Sequence, residues 1–83
     1  MLAPRPNPAR GVAAVQVELG EAQDVRAALY DALGRRVLDL HDGAAPAGPL
    51  ALRLDVSALA PGVYVVRVEG ARTVRTQTIT VVR

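Results

Sequence analysis

Leu50, Leu52 and Leu54 alternate with Ala51 and Arg53, and the same two-residue period returns along most of the chain. A period of two sends alternate side chains to opposite faces of an extended backbone, so it requires half-buried strands. Val15, Val17 and Leu19 alternate with Gln16 and Glu18. Val25, Ala27 and Leu29 alternate with Arg26 and Ala28, and Tyr30 follows. Val37, Leu38 and Leu40 form a return run. Tyr64, Val66 and Val68 alternate with Val65 and Arg67. Helix formers occur in residues 21–33 and 33–40, but alternation fits both stretches better, and Gly34 interrupts any combined helix. Strands with turn signals every ~8–12 residues define an all-β chain. The expectation is a small immunoglobulin- or fibronectin-III-like antiparallel β-sandwich of six to seven strands with Greek-key-like connections.

The punctuation sets the connections. Gly20 and Asp24 bracket a turn, and Asp31-Ala32-Leu33-Gly34-Arg35 reads as a hairpin loop with Gly34 free to take positive φ. Residues 42–49 read as a loop long enough to cross between sheets. Asp55-Val56-Ser57-Ala58-Leu59 reads as a bend with one turn of helix, followed by a Pro61-Gly62 turn into the next strand. Glu69-Gly70-Ala71-Arg72 turns the chain again, and residues 73–83 form the terminal strand. Residues 1–11 hold three of the six prolines, which remove backbone donors. They read as a lead-in linker or an edge strand and not as a core element. Residues 1–5 are taken as a linker remnant or residues foreign to the domain, and residues 6–83 as one domain.

At 83 residues the chain buries only about 60% of its unfolded surface, so its stability margin is thin. Half of its residues are hydrophobic, with no Phe and no Trp, so the core is aliphatic with Tyr30 and Tyr64 as its only large rings. Tyr64 shares a face with Val66 and Val68 and belongs to the core. Tyr30 falls opposite Leu29, toward solvent. With no cysteine, disulfides contribute nothing. No apolar run approaches the ~20 residues that span a bilayer. All ten basic residues are Arg; a GC-rich genome is the plain cause, and selection for heat-stable surface pairing is the alternative. Net charge is +2 and the arginines are scattered, without the interleaved aromatics of single-strand binding, so no nucleic-acid partner is expected.

Catalytic chemistry finds few residues to use. Ser57 and His41 are the only Ser and His, so a Ser-His-Asp triad would have to use both. Ser57 lies in an Asp-x-Ser bend, where such side chains bond nearby amides, and His41 adjoins the turn residues Asp42-Gly43. Asp31, Asp39, Asp42 and Asp55 flank turns without calcium-loop spacing. The glycines do not form a phosphate loop. No catalytic residue, metal or cofactor is expected.

Four segments together resemble a known family. They are Pro6-Asn7-Pro8; the hairpin Leu29-Tyr30-Asp31-Ala32-Leu33-Gly34-Arg35-Arg36-Val37; the run from Leu54-Asp55-Val56-Ser57 through Leu59 to Gly62-Val63-Tyr64 and Val68; and the closing Ile79-Thr80-Val81-Val82-Arg83. Their order and spacing over residues 6–83 resemble the type A C-terminal sorting domain of the type IX secretion system of Bacteroidetes. Two departures stand out: Arg83 replaces the usual Lys, and the last strand is richer in Thr.

The resemblance implies a non-enzymatic signal on a larger exported protein. Its parent would cross the inner membrane on an N-terminal signal, pass the periplasm, and be led through the outer membrane by this domain. A sortase-like surface protease would then remove the domain, with cargo released or attached at the cell surface. The partners implied are the outer-membrane secretion machinery, that protease and the N-terminal cargo. By the same resemblance, Gly62, Tyr64 and Ile79, Thr80, Val81, Val82 and Arg83 are candidate recognition residues. The terminal strand is the stronger candidate, as an edge open to strand addition. Pro6, Asn7, Pro8, Tyr30, Asp31, Gly34, Asp55 and Leu59 are structural members of the motif. The alternative is an accessory module of a secreted hydrolase, either carbohydrate-binding or structural and immunoglobulin-like.

Overall fold

The computed structural model describes residue 1 and residues 3–83. It is all-β, with six strands: β1 (Val12–Leu19), β2 (Gln23–Tyr30), β3 (Arg36–Ala45), β4 (Gly48–Asp55), β5 (Gly62–Glu69) and β6 (Val74–Val81). They form a two-stranded sheet, β1-β4, and a four-stranded sheet in the order β3-β2-β5-β6. Every pairing between strands is antiparallel. Two connections are hairpins within the larger sheet, β2–β3 and β5–β6. The other three, β1–β2, β3–β4 and β4–β5, pass from one sheet to the other.

The period-two patterns become the core. Val15, Val17 and Leu19 of β1 and Leu52 and Leu54 of β4 face Val25, Ala27 and Leu29 of β2 and Tyr64, Val66 and Val68 of β5. Ile79 and Val81 close the layer from β6. All are buried aliphatic side chains apart from Tyr64, and among the described residues no polar or charged residue is buried. The core therefore rests on close packing of branched aliphatics, where lost methylenes are felt directly.

The sequence reading is corrected at four points. First, residues 42–49 are not a loop. β3 continues to Ala45, with Gly43 opposite Val25 and Ala44 opposite Asp24, leaving only Pro46 and Ala47 between strands. β2 offers unpaired backbone there, and pairing with it outweighs the low strand preference of Asp-Gly-Ala-Ala. His41 and Asp42 accordingly lie in a strand and not beside a turn. Second, no helical turn forms after Asp55. A single bond from the Leu59 N–H to the Val56 carbonyl, 3.0 Å, closes an isolated turn.

Third, the lead-in segment is part of the core. Ala9 is fully buried and Pro4 is buried too. Arg5 exchanges both backbone bonds with Ala14 of β1, at 2.9 and 2.8 Å. Ala9 pairs in parallel with Val81 of β6. Prolines at 4, 6 and 8 do not prevent this, because Arg5 and Ala9 keep the donors that the pairing uses. Pro6 and Pro8 follow cis peptide bonds. Fourth, Tyr30 is half-buried and not open to solvent; it pairs with Val65 on the outer face of the larger sheet.

Candidate functional site

The residues singled out in the sequence gather at one end of the sandwich. β2 ends there at Tyr30, β4 at Asp55 and β6 at Val81, while β5 begins there at Gly62. Gly62 pairs with Val81, Val63 with Thr80 and Tyr64 with Ile79, so the Gly-Val-Tyr segment and the terminal strand are direct neighbours. Met1 lies at the opposite end, where it lines a concavity together with Val17, Leu19 and Thr73.

Two aspartates organise the turns. The Asp31 Oδ1 accepts from the Leu33 and Arg35 N–H groups, both at 2.9 Å, and its Oδ2 accepts from Arg35 Nε at 2.8 Å. Its backbone N–H donates to the Arg35 carbonyl at 2.9 Å, and its carbonyl accepts from the Gly34 N–H at 3.0 Å. Gly34 supplies the φ of +82° that this loop needs. The β4–β5 turn repeats the device. The Asp55 Oδ1 accepts from the Ser57 N–H at 3.1 Å and from its hydroxyl at 2.6 Å. Ser57 is thereby committed to the turn, and no hydrogen bond joins it to His41, whose Nε2 lies 3.2 Å from the Gly43 carbonyl.

Hydrogen bonds hold both carboxyls below the ordinary Asp value: the Arg35 N–H leads at Asp31, and the Ser57 hydroxyl leads at Asp55. A carboxyl with a lowered folded pKa stabilises the fold above its unfolded pKa and loses that contribution as pH falls through the folded value. Both contributions are therefore complete above about pH 4 and disappear at more acid pH. Urea midpoints are expected to drop between pH 7 and pH 3. Asp31→Asn should flatten that dependence; an unchanged pH profile in the variant would show that Asp31 carries none of it.

The remaining motif residues also have structural jobs. Tyr64 is buried, and its hydroxyl donates to the Ala60 carbonyl four residues upstream at 2.6 Å. This fastens the crossing arch to the strand it enters, as the tyrosine corner does in immunoglobulin-like sandwiches. Gly62 takes a φ of +155°. Leu59 is half-buried against the core. Asn7 Oδ1 accepts the Thr80 N–H at 3.0 Å.

The seven candidate recognition residues are thus brought together but not equally presented. Gly62 is half-buried, and Tyr64, Ile79 and Val81 are closed in. Thr80 and Val82 are half-buried and Arg83 is exposed. Three exposed apolar residues that the sequence reading did not single out join this end: Val12, opposite Asp55; Val63, next to Thr80; and Leu33, at the hairpin tip and 78% exposed. Alternation could have found Val63, which falls opposite Tyr64 in phase. Leu33 carries no such signal.

Among the described residues no cluster of His, Asp or Glu could hold a metal. A concavity of about 370 Å³ lies at the Met1 end, lined in part by Glu18, Glu21, Gln23, Arg72 and Arg75. Among the described residues no helix is long and apolar enough to cross a membrane. The fold and its turn end define a small two-sheet β-sandwich module whose distinctive residues build turns and a strand junction. A family model, the secretion system C-terminal sorting domain, matches residues 5–82, and the chain belongs to that family. No curated protein and no solved structure matches it. The family is a sorting signal of type IX secretion and not a catalytic domain, so the chain serves a parent protein destined for the cell surface or extracellular space.

Proposed function

We propose that the secretion machinery reads the folded domain at its turn end, chiefly through the terminal strand from Ile79 to Arg83. Its parent reaches the periplasm on a separate N-terminal signal and is then led across the outer membrane. A sortase-like surface protease removes the domain, and the cargo is released or attached to the surface. The signal takes in residues 6–83 together with Pro4 and Arg5, which dock on the sandwich, and the cargo joins on the N-terminal side. One observation carries this reading: Gly62–Tyr64 and Ile79–Val81 lie side by side, and the side chains left facing outward there are Val63, Thr80, Val82 and Arg83. Buried motif residues preserve the shape of this surface, and the outward ones are free to be read.

The test must spare the core. Val82→Asp with Arg83→Glu changes outward chemistry without touching Ile79 or Val81. Cargo carrying the pair is expected to accumulate in the periplasm while the domain melts as the wild type does. Normal export with both substitutions in place would remove these side chains from the signal. The accessory glycan-binding alternative lacks support from the rings: Tyr64 is buried and hydrogen-bonded, and Tyr30 is half-buried in the sheet face.

A further inference from the structure

The terminal strand is an edge strand, but part of its edge is already occupied. In β6 the Thr80 N–H and carbonyl both point away from β5, toward Asn7 and Ala9. The Ala9 N–H donates to the Thr80 carbonyl at 2.7 Å, and the Val82 N–H donates to the Ala9 carbonyl at 2.9 Å. The Arg10 guanidinium donates to the Arg83 carbonyl at 2.8 Å. Residues 7–10 therefore cover the last turn-end stretch of β6, with a single parallel bridge between Ala9 and Val81. Backbone groups alternate in direction along an antiparallel ladder, so Val74, Thr76 and Thr78 also point theirs outward. Among the described residues, no backbone bond beyond the strand pairings reaches those three positions. The edge is thus open over its first half and strapped over its second.

We propose that residues 7–10 are an internal occupant of a strand-addition site, and that a partner reading this edge does so by replacing them. The occupant defines the partner. It is an extended polypeptide segment running parallel to β6, with a main-chain donor for the Thr80 carbonyl and an acceptor for the Val82 N–H. The residue opposite Val81 must be small, because Ala9 is completely buried there. Two residues earlier, a side-chain acceptor takes the place of Asn7. The open half at Val74–Thr78 lets such a segment begin pairing before the strap leaves, and strand addition uses main-chain bonds of this kind. The proposal rests on the reading that Ile79–Arg83 is what the machinery recognises.

The test locks the strap in the full parent protein in its native host. The domain has no cysteine, so Ala9→Cys with Val81→Cys forms the one pair within it. Paired strand positions lie ~4.8 Å apart, inside the span of a disulfide. The linked pair is expected to stay in the periplasm, whereas Ala9→Cys alone is exported. Asn7→Ala provides a second measurement on an unlinked fold. It removes one hydrogen bond, so the Thr80 and Val82 amides should exchange about tenfold faster, with export retained. Export of the linked pair at the wild-type level, in a host where deleting residues 79–83 stops export, would overturn strap displacement and leave the recognition reading standing. Unchanged export after that deletion would overturn both.

Discussion

Leu54→Ala is expected to lower the urea midpoint of this domain by about 1–4 M, from a loss of about 2–5 kcal/mol and a denaturant slope of about 1 kcal/mol/M or somewhat more. Leu54 has no exposed surface and lies between the two sheets. A chain of this length holds a total stability of roughly 4–12 kcal/mol, so one cavity removes a large share of it. The core has little with which to refill the space, because it contains no Phe or Trp and its sole buried ring is fixed by a hydrogen bond to Ala60. Leu33→Ala is the matched control. It deletes the same atoms from a side chain that is 78% exposed and should leave the midpoint within experimental error. Equal midpoints for the two variants would contradict the packing described above.

Deletion of residues 79–83 should have the largest effect on export, and its cause is double. Ile79 and Val81 are core residues, and they pair with Tyr64 and Gly62. Thr80 and Val82 anchor the Asn7–Ala9 strap. Removing them opens the core, frees the lead-in segment and erases the proposed recognition surface together. The expected result is loss of a cooperative melt and full retention of cargo in the periplasm. A truncated domain that melts normally would contradict the core assignment. A truncated domain that exports normally would contradict the role of the strand. The Val82→Asp, Arg83→Glu pair then separates the two causes, since it changes the surface and leaves the core intact.

β1, β2, β4 and β5 were legible because an alternating apolar face runs along each of them, as at Leu50-Leu52-Leu54 and Tyr64-Val66-Val68. The Asp31 loop and the Asp55 bend were legible because Asp, Ser and Gly have local bonding habits that need no tertiary context. The end of β3 was hidden, since Asp42-Gly43-Ala44-Ala45 becomes strand only through the backbone that β2 presents to it. The lead-in strap was hidden for the same reason. Nothing local in Pro-Asn-Pro-Ala announces a partner at Thr80, 73 residues away from Asn7. The candidate recognition residues are neighbours in the structure; alternation already placed Tyr64 inward, and the sheet register adds that Gly62–Tyr64 lies beside Ile79–Val81.

The sorting role is tested most directly by attaching residues 1–83 to the C terminus of a periplasm-directed fluorescent protein in a bacterium that has a type IX system. The folded domain as a sufficient signal predicts fluorescence at the surface or in the medium. Fusions carrying Val82→Asp with Arg83→Glu should stay in the periplasm. Periplasmic retention of the wild-type fusion, while the host exports its own cargo, would contradict the reading.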